Sequence, residues 1–228
     1  MNPAGTNIQL RDVQLGGELS VPSGAAGLVL FAHGSGSSRH SPRNQFVARV
    51  LREAGLGTLL FDLLTETEEQ SERQTRHLRF NITFLSQRLV AVTRWALNRA
   101  EGQSLRVGYF GASTGAAAAL VAAAEFGQTI GAVVSRGGRP DLAGAALNQV
   151  TSPTLLVVGA RDLPVIPLNQ SAYRELRCDK ALELVPGASH LFEEPGTLES
   201  AAELAAEWFS RHLKGVPSGT NHTDQRLS

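Results

Sequence analysis

The segment from Leu105 to Phe126 constrains the fold more than any other part of the chain. Leu105-Arg106-Val107-Gly108-Tyr109-Phe110 reads as a short buried strand, and Ala116 to Phe126 reads as a helix. Between them stands Gly111-Ala112-Ser113-Thr114-Gly115. A strand, a G-x-S-x-G turn and a helix form a nucleophile elbow, in which a serine stands clear of a sheet edge. The turn is so tight that the serine backbone is strained, at a cost of about 1–3 kcal/mol, and its neighbours must be glycine or another small residue. The helix that follows aims its unbonded N–H groups and positive dipole end at the serine, which suits a negatively charged intermediate.

An elbow needs a sheet to stand on, and the rest of the chain supplies one. Ile8 to Val13 and Glu18 to Pro22 alternate around Gly16-Gly17, as an antiparallel hairpin at a sheet edge would. Leu28 to Ala32 is an apolar run of the kind covered on both faces, Thr58 to Leu64 reads as the next buried strand, and Ile130 to Val134, Pro153 to Val158 and Leu182 to Val185 read as further strands. Helical patterns fall between them. Ser41-Pro42 opens one that ends at Gly55, and Leu78, Ile82, Leu85, Leu89, Val92 and Ala96 form a second stripe. A short helix near Asp141 to Leu147, one over Ile166 to Leu176 and a last one over Thr197 to Leu213 complete the set. The charged stretch Thr65 to Arg76 lacks an apolar stripe and reads as an exposed connection. This alternation predicts an α/β fold with a mostly parallel sheet, helices on both faces and no large lid.

Residues 1–214 are expected to form one domain and 215–228 a loose tail. Lys and Arg together number 21, as do Asp and Glu, so nothing global favours nucleic acid or an acidic membrane surface. The apolar run Gly115 to Ala124 is far shorter than the ~18–20 residues that span a bilayer. Met1 to Leu19 has no basic start followed by an apolar block, so a cytoplasmic protein is expected. One cysteine, Cys178, allows no internal disulfide.

In parallel sheets ligands gather beyond the carboxyl ends of the strands. His33, Asp62, Ser113, Asp162 and His190 all fall there, and three of them follow the order Ser, Asp, His. A serine hydroxyl is a poor nucleophile until a base removes its proton, a role that suits His190. Asp162 would hold the imidazole in the correct tautomer and offset the charge it gains. The oxyanion formed on attack needs rigid donors: the backbone N–H of Thr114, and that of Ser35 in the loop His33-Gly34-Ser35. Asp141 is the rival acid. Asp62 and His33 read as loop braces. No grouping of residues suggests a metal, and the chemistry needs no cofactor.

The chain resembles the α/β-hydrolases, in the dienelactone-hydrolase-like branch. The resemblance spans about residues 7–214 and rests on His33-Gly34, Gly111-Ala112-Ser113-Thr114-Gly115, Val158-Gly159-Ala160-Arg161-Asp162 and Pro186-Gly187-Ala188-Ser189-His190. It implies an eight-stranded sheet with only the second strand antiparallel, and ester hydrolysis through an acyl-enzyme. Dienelactone hydrolases proper use cysteine where this chain has Ser113, which favours a general carboxylesterase acting on a small ester or lactone. A monomer or homodimer is expected.

Other readings are weaker. Gly34-Ser35-Gly36 would open a dinucleotide fingerprint, but Arg39 occupies the place of the third glycine. Arg136-Gly137-Gly138-Arg139 has the form of an RNA-binding RGG element, in a chain with no basic excess. Arg39, Arg136 and Arg139 could instead meet a substrate carboxylate or serve as loop scaffolding. A hydrolase fold that holds a ligand without turnover remains open as a second function.

Overall fold

The computed structural model describes residues 4–100 and 105–214. Its strands are β1 (Ala4–Gln9), β2 (Gln14–Ser20), β3 (Gly27–Ala32), β4 (Gly57–Phe61), β5 (Arg106–Ala112), β6 (Ile130–Arg136), β7 (Thr154–Gly159) and β8 (Lys180–Val185). Its α-helices are α1 (Pro42–Glu53), α2 (Glu66–Thr75), α3 (Ile82–Ala100), α4 (Thr114–Phe126), α5 (Ile166–Glu175) and α6 (Thr197–Leu213). All eight strands form one sheet in the order β1-β2-β4-β3-β5-β6-β7-β8. Strand β2 pairs antiparallel with β1 and β4, and every other pairing is parallel. The expected sheet is therefore present, with its one reversed strand second in the chain.

Side chains of a strand alternate between faces, so a doubly covered sheet has two cores. Tyr109 joins the core under α3, α4 and α5, while its neighbour Phe110 joins the one under α1 and α6. The Tyr109 hydroxyl lies 2.7 Å from that of Thr93, so this buried polar tip is paired. Helix α4 is built mainly of small residues, seven of them alanine, and nine of its positions are buried. It lies close against the sheet because little side chain separates the two.

Three local expectations differ from the structure. The hairpin turns at Leu10–Val13, where the Leu10 N–H donates to the Val13 carbonyl at 2.9 Å, and Gly16-Gly17 lie inside β2. Glycine at position 16 makes room for a side chain, since a Cβ there would sit 2.5 Å from the Arg39 guanidinium. Thr65 to Arg76 is not a plain connection but the capped helix α2, in which Thr65 and Glu68 bond reciprocally. Its inner contact is made by a carboxylate, Glu72, which is buried. The helix near Asp141 to Leu147 is a 3₁₀ segment over Pro140–Gln149, kinked at Gly144. The tail expected over 215–228 lies outside the described residues.

Candidate active site

Ser113 sits between β5 and α4 at φ 50° and ψ −124°. It is one of three non-glycine residues with positive φ among the described residues, a conformation L-residues rarely adopt. The main chain around it holds the strain. The N–H groups of Arg139 and Ala116 both donate to the Ser113 carbonyl, at 3.0 and 3.1 Å. A Cβ on Gly115 would fall on the Ala32 carbonyl oxygen, so α4 starts hard against the end of β3. The loop after β3 presses equally closely, as a Cβ on Gly34 would lie 2.9 Å from the Ser113 Cβ.

Asp162 and His190 come from the loops after β7 and β8. These loops are stitched by main-chain bonds, Ala160 N–H to the Val185 carbonyl and Arg161 N–H to the Ala188 carbonyl, both 2.9 Å. Asp162 Oδ2 lies 2.7 Å from His190 Nδ1, and the carboxylate is buried while the imidazole is 39% exposed. A carboxylate only accepts, so Nδ1 carries the proton and Nε2 keeps its lone pair. The loop turns back at Phe192, a second strained residue at φ 56°. Its start is tied by the Ser189 N–H, which donates to Glu194 at 3.0 Å and draws that carboxyl below its ordinary pKa. Ser113 and His190 line one cavity of about 130 Å³ with Gly34, Ser35, Arg43 and Arg136. Their hydroxyl and imidazole share this cavity without a hydrogen bond to each other; such contacts are often long before substrate tightens them.

The two expected oxyanion residues are adjacent. The Ser35 hydroxyl donates to the Arg79 carbonyl at 3.0 Å, which uses its single proton. The Thr114 hydroxyl, 3.1 Å from Ser35 Oγ, is therefore the donor of that pair. This ties the loop after β3 to the first residue of α4. The anchor beyond it was not foreseen from sequence. Buried Glu72 accepts from the N–H groups of Leu78 and Arg79, at 2.7 and 3.2 Å, and from Arg79 Nε at 2.6 Å. Burial pushes the Glu72 carboxyl up, but the Arg79 side chain and the two backbone donors outweigh it and hold the pKa below the ordinary value.

The remaining candidates sort by their partners. Asp141 accepts two bonds from Arg139, at 2.9 and 2.8 Å, and makes none with His190. Asp62 accepts from the Arg39 backbone N–H at 2.8 Å and from its guanidinium. His33 Nε2 accepts from the Leu63 N–H at 2.9 Å, which leaves Nδ1 to donate to the Gly34 carbonyl; burial lowers its pKa and keeps it neutral. It braces the loop, as does Asp62. Cys178 is half-buried with its thiol pKa raised by burial. Arg136 is buried and has no acid partner among the described residues, and Arg43 shares its cavity. A larger polar cavity of about 430 Å³, between the loop after β3 and α2, reaches His33 but none of Ser113, Asp162 and His190. Among the described residues no group of three or more His, Cys, Asp or Glu could hold a metal, and no helix is long and apolar enough to cross a membrane.

With this geometry in view, the comparisons with known proteins are specific. The model of the dienelactone hydrolase family matches residues 21–214. The chain belongs to the dienelactone hydrolase family. A dienelactone hydrolase from Anabaena variabilis superposes with a TM-score of 0.90 at 57% identity, over 93% of this chain and all of that one. Est1E from Butyrivibrio proteoclasticus, with ferulic acid bound, has a TM-score of 0.74 at 18% identity over 91% of this chain and 98% of its own. A Pyrococcus furiosus esterase has a TM-score of 0.73 at 20% identity over 93% of this chain and 92% of its own. These two distant likenesses speak for the α/β-hydrolase fold. Proteins of two Mycobacterium tuberculosis strains, provisionally named phosphoribosyl transferases, are 56% identical over 208 residues. That match covers 91% of this chain and 46% of theirs, so the chain spans about half the length of these curated relatives. Family and fold agree on an α/β-hydrolase domain of the dienelactone hydrolase type.

Proposed function

We propose that the chain is a serine hydrolase of small carboxylic esters or lactones that works through an acyl-enzyme and needs no cofactor. The observation that carries this reading is the 2.7 Å bond between Asp162 and His190, across one small cavity from the strained Ser113. His190 Nε2 takes the Ser113 proton as Oγ attacks the substrate carbonyl. The oxyanion is received by the backbone N–H groups of Thr114 and Ser35. The C–O bond to the leaving group breaks as the imidazolium returns its proton to that oxygen. Water then repeats the cycle on the acyl-serine, losing its proton to His190, and releases the acid.

Serine in place of the cysteine of dienelactone hydrolases proper supports a general esterase. The absence of an inserted lid among the described residues supports small, soluble substrates. Cytoplasmic location and a monomeric or homodimeric state belong to the same proposal. The transferase name of the mycobacterial relatives belongs to longer proteins, and transfer from a phosphoribosyl donor is no part of it. Turnover of p-nitrophenyl esters of graded acyl length, with lactones alongside, tests the reading. Short acyl groups should react fastest, and Ser113→Ala should lower kcat on the order of 10⁴- to 10⁶-fold. Equal turnover in that variant would overturn the reading.

A further inference from the structure

Three arginines beyond the strand ends invited a substrate role, and the structure separates them. Arg39 is paired with Asp62, and Arg139 is paired twice with Asp141. Arg136 is 7% exposed, and among the described residues its side chain makes no hydrogen bond, its buried Nε and Nη1 both being unpartnered. Its guanidinium rests 5.6 Å over the Phe192 ring. Burial, with a smaller effect from Arg43, lowers its pKa to about 10, so it is still a cation near neutrality. A buried cation without an acid is costly, and such groups are normally paired.

A second cation lining the cavity repeats the anomaly. Arg43 stands in the first turn of α1, where the helix dipole favours an anion, and that turn has no acidic residue. The Ser41 side chain caps no backbone N–H of this helix, although serine is a preferred cap. Arg43 does bond Glu193 at 3.1 Å, but both side chains are solvent-accessible and such a pair is readily exchanged. Arg136, Arg43 and Ser41 at the uncapped helix start thus line the same cavity as Ser113.

We infer that Arg136, Arg43 and the first turn of α1 form a cradle for a tetrahedral dianion, so that the ester this site cleaves carries a phosphate or phosphonate group on a short acyl chain. The inference rests on the hydrolase reading above. Donors reaching in from β6 on one side and α1 on the other surround a three-oxygen group, whereas a planar carboxylate would engage only one fork. Two full charges and a helix start match a dianion. A cavity of about 130 Å³ that includes Ser113 keeps the anion within a bond or two of the scissile carbonyl.

The test uses three p-nitrophenyl esters that differ only at the α-carbon: acetate, the malonate half-ester and phosphonoacetate. Each kcat/KM is divided by the ester's rate with hydroxide alone. Wild type should favour phosphonoacetate over both others by about tenfold or more, as expected for charge-assisted contacts. Arg43→Gln and Arg136→Met should each remove most of that preference, and Arg136→Lys should keep part of it. Arg43 is partly exposed, so Arg43→Gln keeps the test intact if Arg136→Met fails to fold. Calorimetry of methylphosphonate with Ser113→Ala reads the cradle without turnover and should show binding that Arg43→Gln weakens. Equal rates on all three esters, or preference for malonate, would overturn the dianion assignment and leave the hydrolase reading standing. Methylphosphonate binding with no ester turned over would support the cradle and sink the hydrolase reading.

Discussion

The two walls of the cleft are held by different means. On the side of β5, β7 and β8 the main chain does the positioning: Ser113 accepts two backbone donors, and the Asp162 and His190 loops bond each other through their peptides. On the side of β3 and α2 the positioning runs through side chains, from Thr114 to Ser35, on to the Arg79 carbonyl and then to buried Glu72. Main-chain placement follows from tight turns and close glycine contacts, and it tolerates little change of shape. Side-chain placement depends on particular polar atoms and on their protonation. The first wall should therefore fail through sterics or lost chemistry, and the second through hydrogen bonds and acid.

The largest effect should come from the relay. Asp162→Asn keeps the shape but favours the wrong imidazole tautomer, and kcat should fall on the order of 10⁴-fold. A change below tenfold would show that another group orients His190. Next is Gly115→Ala, whose methyl would land on the Ala32 carbonyl oxygen, a backbone atom that cannot swing aside. Overpacking of this kind should cost about 3 kcal/mol or more, read by urea denaturation.

On the other wall Glu72→Gln should cost about 1.5–3 kcal/mol, since an amide replaces a carboxylate that accepts three bonds. Its pKa is depressed in the folded state, so its contribution is complete above the unfolded carboxyl value, about 4.5, and is lost as pH falls through the lower folded value. Stability of wild type measured downward from neutral pH should hold to about pH 5 and then drop, more steeply than in Glu72→Gln. Parallel curves would remove Glu72 from this role. The smallest effect belongs to Ser35→Ala, which loosens the tie to Arg79 and Thr114 while leaving the Ser35 N–H in place. A fall of about two- to tenfold in kcat, with KM little changed, is expected.

The same contrast explains what could be read from the chain. The first wall was legible because its parts are local signatures: apolar strands, each ending in a small-residue turn with one reactive side chain. Ser113, Asp162 and His190 are set out in this way. The second wall was not, because α2 buries a carboxylate rather than an apolar stripe, and periodicity does not register Glu72. Its one available signal was the capping box of Thr65 and Glu68. Gly16-Gly17 misled because glycine marks both turns and close approaches, and here it clears space for Arg39. Arg43 had a signal too, a cation placed at the positive end of a helix, where local rules disfavour it.

Labelling with a fluorophosphonate followed by peptide mapping addresses the relay most directly, since only an activated serine reacts quickly. One adduct on Ser113, ester turnover lost in proportion, and labelling suppressed in His190→Ala are the expected results. Modification of some other residue that tracks the loss of activity, or no adduct while a control esterase is labelled, would contradict a relay built on Ser113, His190 and Asp162.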